Sequence, residues 1–133
     1  MKYDEFKAMM AKEKIRRKPR HLESAIQQQC VMWFKLAYPR YLCFSVPNGG
    51  SRNALEAANL KKEGALAGVS DLIIVAQGAV LFVEMKTAKG RQQASQIAFQ
   101  ETVERLGHSY KVCRSLTDFQ LTVERWLKER YGI

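Results

Sequence analysis

The spacing of apolar positions between residues 72 and 86 predicts a β-hairpin. The runs 72–76 and 79–83 are aliphatic and rich in β-branched residues, and Gln77-Gly78 between them is typical of a tight turn. Gly78-Ala79 is the alternative pair of turn residues. Because both turns contain an even number of residues, each side chain keeps to the same face of the sheet in either register.

Helical and strand-like patterns on either side of the hairpin complete the predicted fold. Helices are expected over 22–37, 54–63, 92–106 and from 116 onward, and further strands over 41–46 and 109–114. The element order is then αβαββαβα. Because the hairpin is antiparallel and the last strand can add in parallel through a right-handed crossover, we expect an α/β fold with a mixed β-sheet flanked by helices. The predicted core-facing helix positions are Leu22, Ile26, Trp33, Ala37, Phe99, Val103, Leu106, Phe119, Val123, Trp126 and Leu127.

Two carboxylates and a lysine share one face of the predicted hairpin. The Gln77-Gly78 turn places Asp71 opposite Glu84, whereas the alternative turn places Asp71 opposite Lys86. Opposed carboxylates about 5 Å apart at Cβ destabilise a sheet unless a cation neutralises them, and Mg²⁺ accepts carboxylates, waters and phosphate oxygens as ligands. Lys86 would add positive charge for a phosphate or an attacking water. The alternative interpretation is an exposed face with a Glu–Lys pair and an acidic residue at a strand start.

The charge balance favours a polyanionic partner. The 133 residues fit one domain with a hydrophobic core, and 22 lysines and arginines against 13 acidic residues give a net charge of +9. Nucleic acid is the default partner for such a chain. No apolar run is long enough to span a bilayer and no secretory signal is present, so a cytoplasmic location without membrane association is expected. The scattered Cys30, Cys43 and Cys113 predict buried free thiols.

The first twenty residues have a composition of their own. Lysines and arginines are concentrated between Lys12 and Arg20. We expect residues 1–20 to form either a short helix or a mobile basic arm that could grip a DNA backbone, with a solvated tail as the alternative. Residues 21–133 are then predicted to form a single folded domain.

Short polar motifs follow one another around the hairpin. Asp71 and Glu84-Met85-Lys86 are accompanied by Glu23-Ser24-Ala25-Ile26-Gln27, Pro47-Asn48-Gly49-Gly50-Ser51-Arg52, Lys62-Glu63-Gly64, Gly68-Val69-Ser70 and Ser95-Gln96. In this order, from about Leu22 to Ser115, the motifs resemble the virus-type replication-repair nuclease (VRR-NUC) domain of the PD-(D/E)XK nuclease superfamily. The resemblance implies a restriction-endonuclease-like fold and metal-dependent hydrolysis of phosphodiester bonds in DNA.

The resemblance also implies roles for individual residues. Asp71 and Glu84 would bind Mg²⁺ or Mn²⁺, joined by Glu23 and by the main-chain carbonyl of Met85. Lys86 would position or deprotonate the attacking water. Without the resemblance, Glu23 is simply an exposed acid that the dipole of a first helical turn favours.

A second group of residues would support catalysis or contact DNA. By resemblance, Gln96 assists the active site, and the alternative is a glutamine in a first helical turn without such a role. Asn48 and Arg52 are assigned to the DNA-facing rim. Lys61 and Lys62 either contact phosphate or solvate the end of their helix, and Lys89 is the remaining predicted DNA contact.

The expected function is that of a structure-selective DNA endonuclease. Short members of the family resemble phage or bacterial proteins that act on branched DNA, and symmetric cleavage of a four-way junction requires two active sites related by two-fold symmetry. We therefore expect a homodimer, with a Holliday-junction resolvase as one form of this activity and with no nucleotide cofactor. A monomeric nuclease for flaps or nicks and a non-catalytic basic nucleic-acid-binding module are the alternatives.

Overall fold

The described part of the chain consists of five helices and four strands. A computed structural model describes residues 2–16, 22–47 and 53–132, without the side chains of 11–16 and 22. The helices are α1 (Tyr3–Arg16), α2 (Leu22–Ala37), α3 (Ala54–Lys62), α4 (Ala94–Arg105) and α5 (Leu116–Tyr131). The strands are β1 (Leu42–Ser45), β2 (Leu72–Ala76), β3 (Ala79–Met85) and β4 (Ser109–Cys113). From α2 onward the order αβαββαβα is the predicted one.

The four strands form one mixed sheet in the order β1-β2-β3-β4. β1 and β2 pair antiparallel, as do β2 and β3, whereas β4 adds parallel to β3 after the crossover through α4. Ala76 pairs with Ala79, and Gly78 between them has a φ of 75°. The hairpin therefore turns at Gln77-Gly78, the first of the two predicted registers. The predicted α/β fold with a mixed sheet is confirmed.

The hydrophobic core lies between one face of the sheet and the helices α1, α2 and α5. Alternate strand residues, such as Leu72 and Ile74 on β2 and Leu81 on β3, are fully buried in this cluster. The helices contribute Phe6, Met10, Cys30, Trp33, Phe34, Phe119, Val123, Trp126 and Leu127. Each large apolar side chain that leaves water stabilises the fold by about 1.5–3 kcal/mol. A one-residue slip of the hairpin would turn these strand residues to the other face, so the core fixes the register.

The opposite face of the sheet is covered by α4 over β3 and β4. The Phe99 ring of α4 packs edge-on against Phe82, with 5.1 Å between the ring centroids, and against Tyr110 at 6.1 Å. At the β1 edge, the pairing with β2 directs Leu42 and Phe44 to this same face. These two side chains are 62% and 44% exposed, so the sheet has an accessible apolar edge.

Two predicted core positions are wrong, and the buried face of α2 is wider than the predicted stripe. Ala37 and Leu106 are exposed, since each lies at the C-terminal end of its helix. The buried side chains of α2 are Ala25, Gln29, Cys30, Trp33 and Phe34, whereas the predicted core residue Ile26 is partly buried. On α5, all four predicted core positions are buried, and that prediction is confirmed.

The N-terminal region contains the helix α1. Its Phe6 and Met10 belong to the core cluster, and α1 packs against α2. Residues 17–21 lie outside the described residues, so the boundary between arm and domain stays a prediction. Within the described ranges, none of the helices is long and apolar enough to cross a membrane.

The three cysteines are free and buried, as predicted. Burial is the main cause that raises the pKa of the Cys43 thiol to about 12 and that of Cys113 to about 11. Thiols with such values carry little thiolate near neutral pH, so these cysteines serve as small apolar residues of the core.

Candidate active site

The hairpin brings Asp71 and Glu84 together at its open end. Leu72 pairs with Val83, and Asp71 immediately precedes β2, so its neighbour across the hairpin is Glu84. The Asp71 Oδ2 accepts a hydrogen bond of 2.8 Å from the N–H of Met85, which fixes this carboxylate against β3. Alternation along the strands places both carboxylates on the face that α4 covers.

Glu84 is a buried carboxyl group with incomplete hydrogen bonding. Its side chain is 4% exposed, and its Oε2 has no hydrogen-bond partner among the described residues. Burial, a hydrogen bond with Asp71 and the charge of Asp71 raise the pKa of Glu84 to about 8, while Lys86 opposes this shift. Such a carboxyl is poorly stabilised as an anion unless positive charge enters the site. The pair therefore fits a divalent cation, which would also satisfy the free oxygen.

Glu23 approaches the same site from the first turn of α2. It lines the cleft together with Asp71 and Glu84, and its charge adds to the raised pKa of Glu84. In the described parts of the chain, no three His, Cys, Asp or Glu side chains are grouped closely enough to hold one metal ion. The geometry thus provides a two-carboxylate site, with Glu23 on the wall of the cleft beyond it.

Lys86 follows Glu84 by two residues, directly after β3. Its N–H donates to the carbonyl of Cys113 at 3.0 Å, which extends the pairing of β3 with β4 by one residue. Its side chain is half-buried and lines the cleft with Asp71 and Glu84. The structure therefore gathers Asp71, Glu84 and Lys86 at one place.

Arg114 holds the loop that follows Lys86. Its Nη1 donates to the carbonyls of Thr87 at 2.7 Å and of Gly90 at 2.6 Å. Its N–H donates to the Asp118 Oδ2 at 2.8 Å, which ties the same residue to the start of α5. Nothing local in the sequence marks Arg114 as part of the site. The sequence does place Arg114 just after β4. Because β3 and β4 are parallel, their C-terminal ends lie side by side, which brings Arg114 near the loop after β3.

The carboxylates open into a cleft of about 560 Å³. Its other walls are formed by Ala57, Leu60, Lys61, residues 65–69, Gln93, Ser95 and Gln96. Gly68 has a φ of 85°, and a Cβ at this position would lie 2.1 Å from the Ser95 carbonyl oxygen. The loop before Asp71 can therefore approach the start of α4 this closely because residue 68 is glycine.

Gln96 lies in the first turn of α4 and lines the cleft. Its Oε1 accepts a hydrogen bond of 2.8 Å from the N–H of Gln93, so the side chain caps the helix. This bond holds Gln96 beside the cleft, and its predicted part in the reaction stays a prediction.

The predicted DNA-contacting residues fall into two groups. Lys61 lines the cleft from α3, Lys62 is the exposed last residue of the same helix, and Lys89 is exposed in the loop after β3. Asn48 and Arg52 lie outside the described residues. The three described lysines thus offer positive charge to a ligand that approaches the cleft.

The match to a family model identifies this domain as one of the nuclease type. The chain belongs to the VRR-NUC family, because the model of the VRR-NUC domain matches residues 11–116, most of its length. A nuclease domain of this family implies DNA as the substrate. A comparison with curated proteins finds no match.

Solved structures with a similar fold carry the same family description. One, described as a VRR_NUC domain protein, matches with a TM-score of 0.65 at 21% identity and covers 80% of this chain and 88% of its own. Another, described as a VRR_NUC domain, matches with a TM-score of 0.56 at 21% identity and covers 77% of this chain and 94% of its own. At this identity, the two structures support the fold.

Proposed function

We propose that this protein is a metal-dependent DNA endonuclease in which Asp71 and Glu84 bind Mg²⁺ or Mn²⁺. The main support is the buried Glu84 Oε2, which lies beside a second carboxylate and has no hydrogen-bond partner in the part of the chain that the structure describes. Mg²⁺ takes a few carboxylates together with waters and phosphate oxygens, so a two-carboxylate site that opens into a cleft suits it. The main-chain carbonyl of Met85 is a further proposed ligand. Glu23 is proposed as an additional ligand that would have to move towards the cation, since in this structure it lies on the cleft wall beyond the two carboxylates.

The residues around the carboxylates would prepare the site for hydrolysis. When bound, the cation would lower the pKa of a water molecule and offset charge on the scissile phosphate. Lys86, on the same wall of the cleft, would position the attacking water and stabilise the charge that develops on the phosphate. Gln96 would orient this water or the lysine, and Arg114 would keep the loop after Lys86 in place.

The DNA backbone would lie along the cleft. Lys61, Lys62 and Lys89 are the described residues proposed to contact phosphates, and Asn48 and Arg52 are proposed to join them at the rim. The net charge of +9 supports this arrangement, because phosphate neutralisation supplies most of the sequence-independent affinity for DNA. Such binding should weaken steeply as the salt concentration rises.

The proposed substrate is branched DNA, with repair or recombination intermediates as its natural source. Symmetric cleavage of a four-way junction needs a two-fold dimer. The edge strand β1 suits such an interface, because Leu42 and Phe44 expose an apolar surface there and an open sheet edge tends to associate. A homodimeric Holliday-junction resolvase is the specific form we propose. A monomer acting on flaps or nicks is the competing form.

A cleavage assay separates these forms from a non-catalytic nucleic-acid-binding module. End-labelled linear duplex, 5′ flap, nicked duplex and four-way junction are incubated with the wild type and with Asp71→Asn in Mg²⁺, Mn²⁺ or EDTA. The mass of the protein in solution is measured in parallel. We expect paired symmetric cuts in the junction by a dimer, lost in EDTA and in the variant.

Two other outcomes would change the proposal. Cutting of flaps by a monomer would retain the nuclease and remove the resolvase. DNA binding without any cleavage would favour the binding module, since the same positive charge predicts affinity for phosphate in either case.

A further inference from the structure

A buried tyrosine lies behind the carboxylate pair. Tyr110 on β4 is 1% exposed, and none of the described residues forms a hydrogen bond with its hydroxyl. Among the described residues, this hydroxyl and the Glu84 Oε2 are the two buried side-chain polar atoms that lack a hydrogen-bond partner. Buried polar groups are nearly always paired, so two unpaired atoms at one site point to a shared function.

Strand register places the two residues next to each other. Phe82 on β3 is aligned with Tyr110, and Glu84 is aligned with Val112 two residues further along. Tyr110 and Glu84 therefore project from the same face of adjacent strands as diagonal neighbours, a separation that a long aromatic side chain can bridge. The charges of Glu84 and Asp71 also act on the Tyr110 hydroxyl, which agrees with this proximity.

The surroundings of Tyr110 hold its ring and leave the hydroxyl as a donor. Phe99 packs edge-on against the ring at 6.1 Å between centroids. Burial is the largest cause that raises the pKa of Tyr110 to about 12, so the hydroxyl keeps its proton near neutral pH. Gln92 also acts on this hydroxyl and opposes the rise of its pKa. Its Nε2 donates to the Gln100 Oε1 at 2.9 Å, and among the described residues no hydrogen bond with good geometry reaches the Tyr110 hydroxyl.

We propose that Tyr110 is a positioning residue for the metal site, whose hydroxyl donates to the free Oε2 of Glu84, directly or through one water. The inference rests on the proposed function, because the hydrogen bond would hold Glu84 in the orientation that binds the cation. A hydroxyl is not needed for packing here, since phenylalanine would fill the same space without burying a polar atom. Donors behind metal ligands commonly change metal affinity by about 10–100-fold.

The test is Mn²⁺ binding without DNA, measured by calorimetry and by the electron paramagnetic resonance of free Mn²⁺. It compares the wild type, Tyr110→Phe and the control Tyr38→Phe, since Tyr38 directly follows α2 and is not among the residues that line the cleft. We expect Tyr110→Phe to bind Mn²⁺ about 10–100-fold more weakly and the control to bind as the wild type does. The thermal midpoint in EDTA should stay equal or rise in Tyr110→Phe, because the variant no longer buries an unpaired hydroxyl.

The possible results separate this inference from the proposed function. Equal Mn²⁺ affinity in the wild type and in Tyr110→Phe would overturn the inference alone, and a lower thermal midpoint with unchanged affinity would show a structural role only. A wild type that binds no Mn²⁺ would overturn the proposed metal site and this inference with it. Weaker binding by both Tyr110→Phe and Tyr38→Phe would indicate a general effect on the fold and would also contradict the inference.

Discussion

Glu84 combines burial with a neighbouring carboxylate, and both favour its neutral form. The pKa of this side chain is about 8, against an ordinary value of 4.5. Because the folded protein holds the proton more tightly than the unfolded chain, Glu84 favours folding most at a pH below 4.5. This contribution is lost as the pH rises towards 8.

We therefore expect the metal-free protein to lose stability between pH 5 and pH 8, by at most about 1.4 kcal/mol for each pH unit from this group. Glu84→Gln should abolish much of this slope and be the more stable protein at pH 8. Urea unfolding of both proteins in EDTA at several pH values measures the effect. The groups that act on Glu84 are Asp71, Lys86 and Glu23, and all remain in the variant. Parallel pH curves for the two proteins would contradict the expectation.

Lys86 should act on turnover more than on affinity. It lines the cleft beside the carboxylates and would stabilise charge that develops only in the transition state. We expect Lys86→Ala to reduce the rate of cleavage by about 10²–10³-fold, while the affinity for DNA falls by no more than a few-fold.

Single-turnover cleavage and DNA-binding titrations at the same salt concentration distinguish these effects. Lys89→Ala is the matched control, since it removes the same charge from an exposed position three residues away. The control should lower affinity slightly and leave the single-turnover rate near the wild-type value. Equal losses of rate and affinity in Lys86→Ala would identify Lys86 as a phosphate anchor.

At the scale of single residues, alternation along a strand was the informative signal. It places Asp71, Glu84 and Lys86 on one face without any knowledge of the tertiary structure. The positions of Tyr110 and Arg114 near the site could not be predicted in this way, because they depend on how β4 aligns with β3 after a helical crossover. No local pattern encodes that parallel register.

At the scale of elements, the loop after β3 is held by one arginine in addition to its own hydrogen bond from the Gly90 N–H to the Thr87 carbonyl. Arg114 donates to two carbonyls of this loop, those of Thr87 and Gly90, while its own N–H is held by Asp118. Without the guanidinium, the loop loses both hydrogen bonds, and Lys86 at its start is less well fixed.

We expect Arg114→Ala to speed amide hydrogen exchange in residues 87–90 and to lower cleavage several-fold with little change in the affinity for Mn²⁺. Hydrogen exchange by mass spectrometry and the cleavage assay measure the two effects. Arg130→Ala is the control, because Arg130 makes a similar bond to the Gly107 carbonyl, outside the residues that line the cleft. Unchanged exchange in 87–90 would show that the loop is ordered without Arg114.

Helix boundaries and faces were predictable to different degrees. The stripe Phe119, Val123, Trp126 and Leu127 has strict helical spacing and is buried throughout. Ala37 and Leu106 are exposed because periodicity extends a stripe to the end of a helix without showing where its contact with the sheet stops. In α2, the residues from Cys30 to Phe34 are all apolar and Gln29 is buried beside them, so periodicity alone did not give the width of the buried face.

At the scale of the whole molecule, the positive charge bears on affinity for DNA, whereas the apolar edge of the sheet bears on dimer formation. The net charge of +9 supports binding to DNA of any form, whereas selectivity for a symmetric junction requires two sites at a fixed spacing. Leu42 and Phe44 on the edge strand are the described apolar residues that we propose to supply the dimer contact.

We expect Leu42→Glu to convert the proposed dimer into a monomer, because a buried unpaired carboxylate at an interface opposes association. Light scattering after gel filtration gives the mass, and Leu121→Glu is the control, since it places the same charge on an exposed position of α5. Paired cutting of the four-way junction should fall in Leu42→Glu, while Mn²⁺ binding stays unchanged because β1 contributes no residue to the cleft lining.

A dimer that survives Leu42→Glu would remove β1 as the interface. A wild type that is already monomeric would leave a nuclease that cuts one strand at a time.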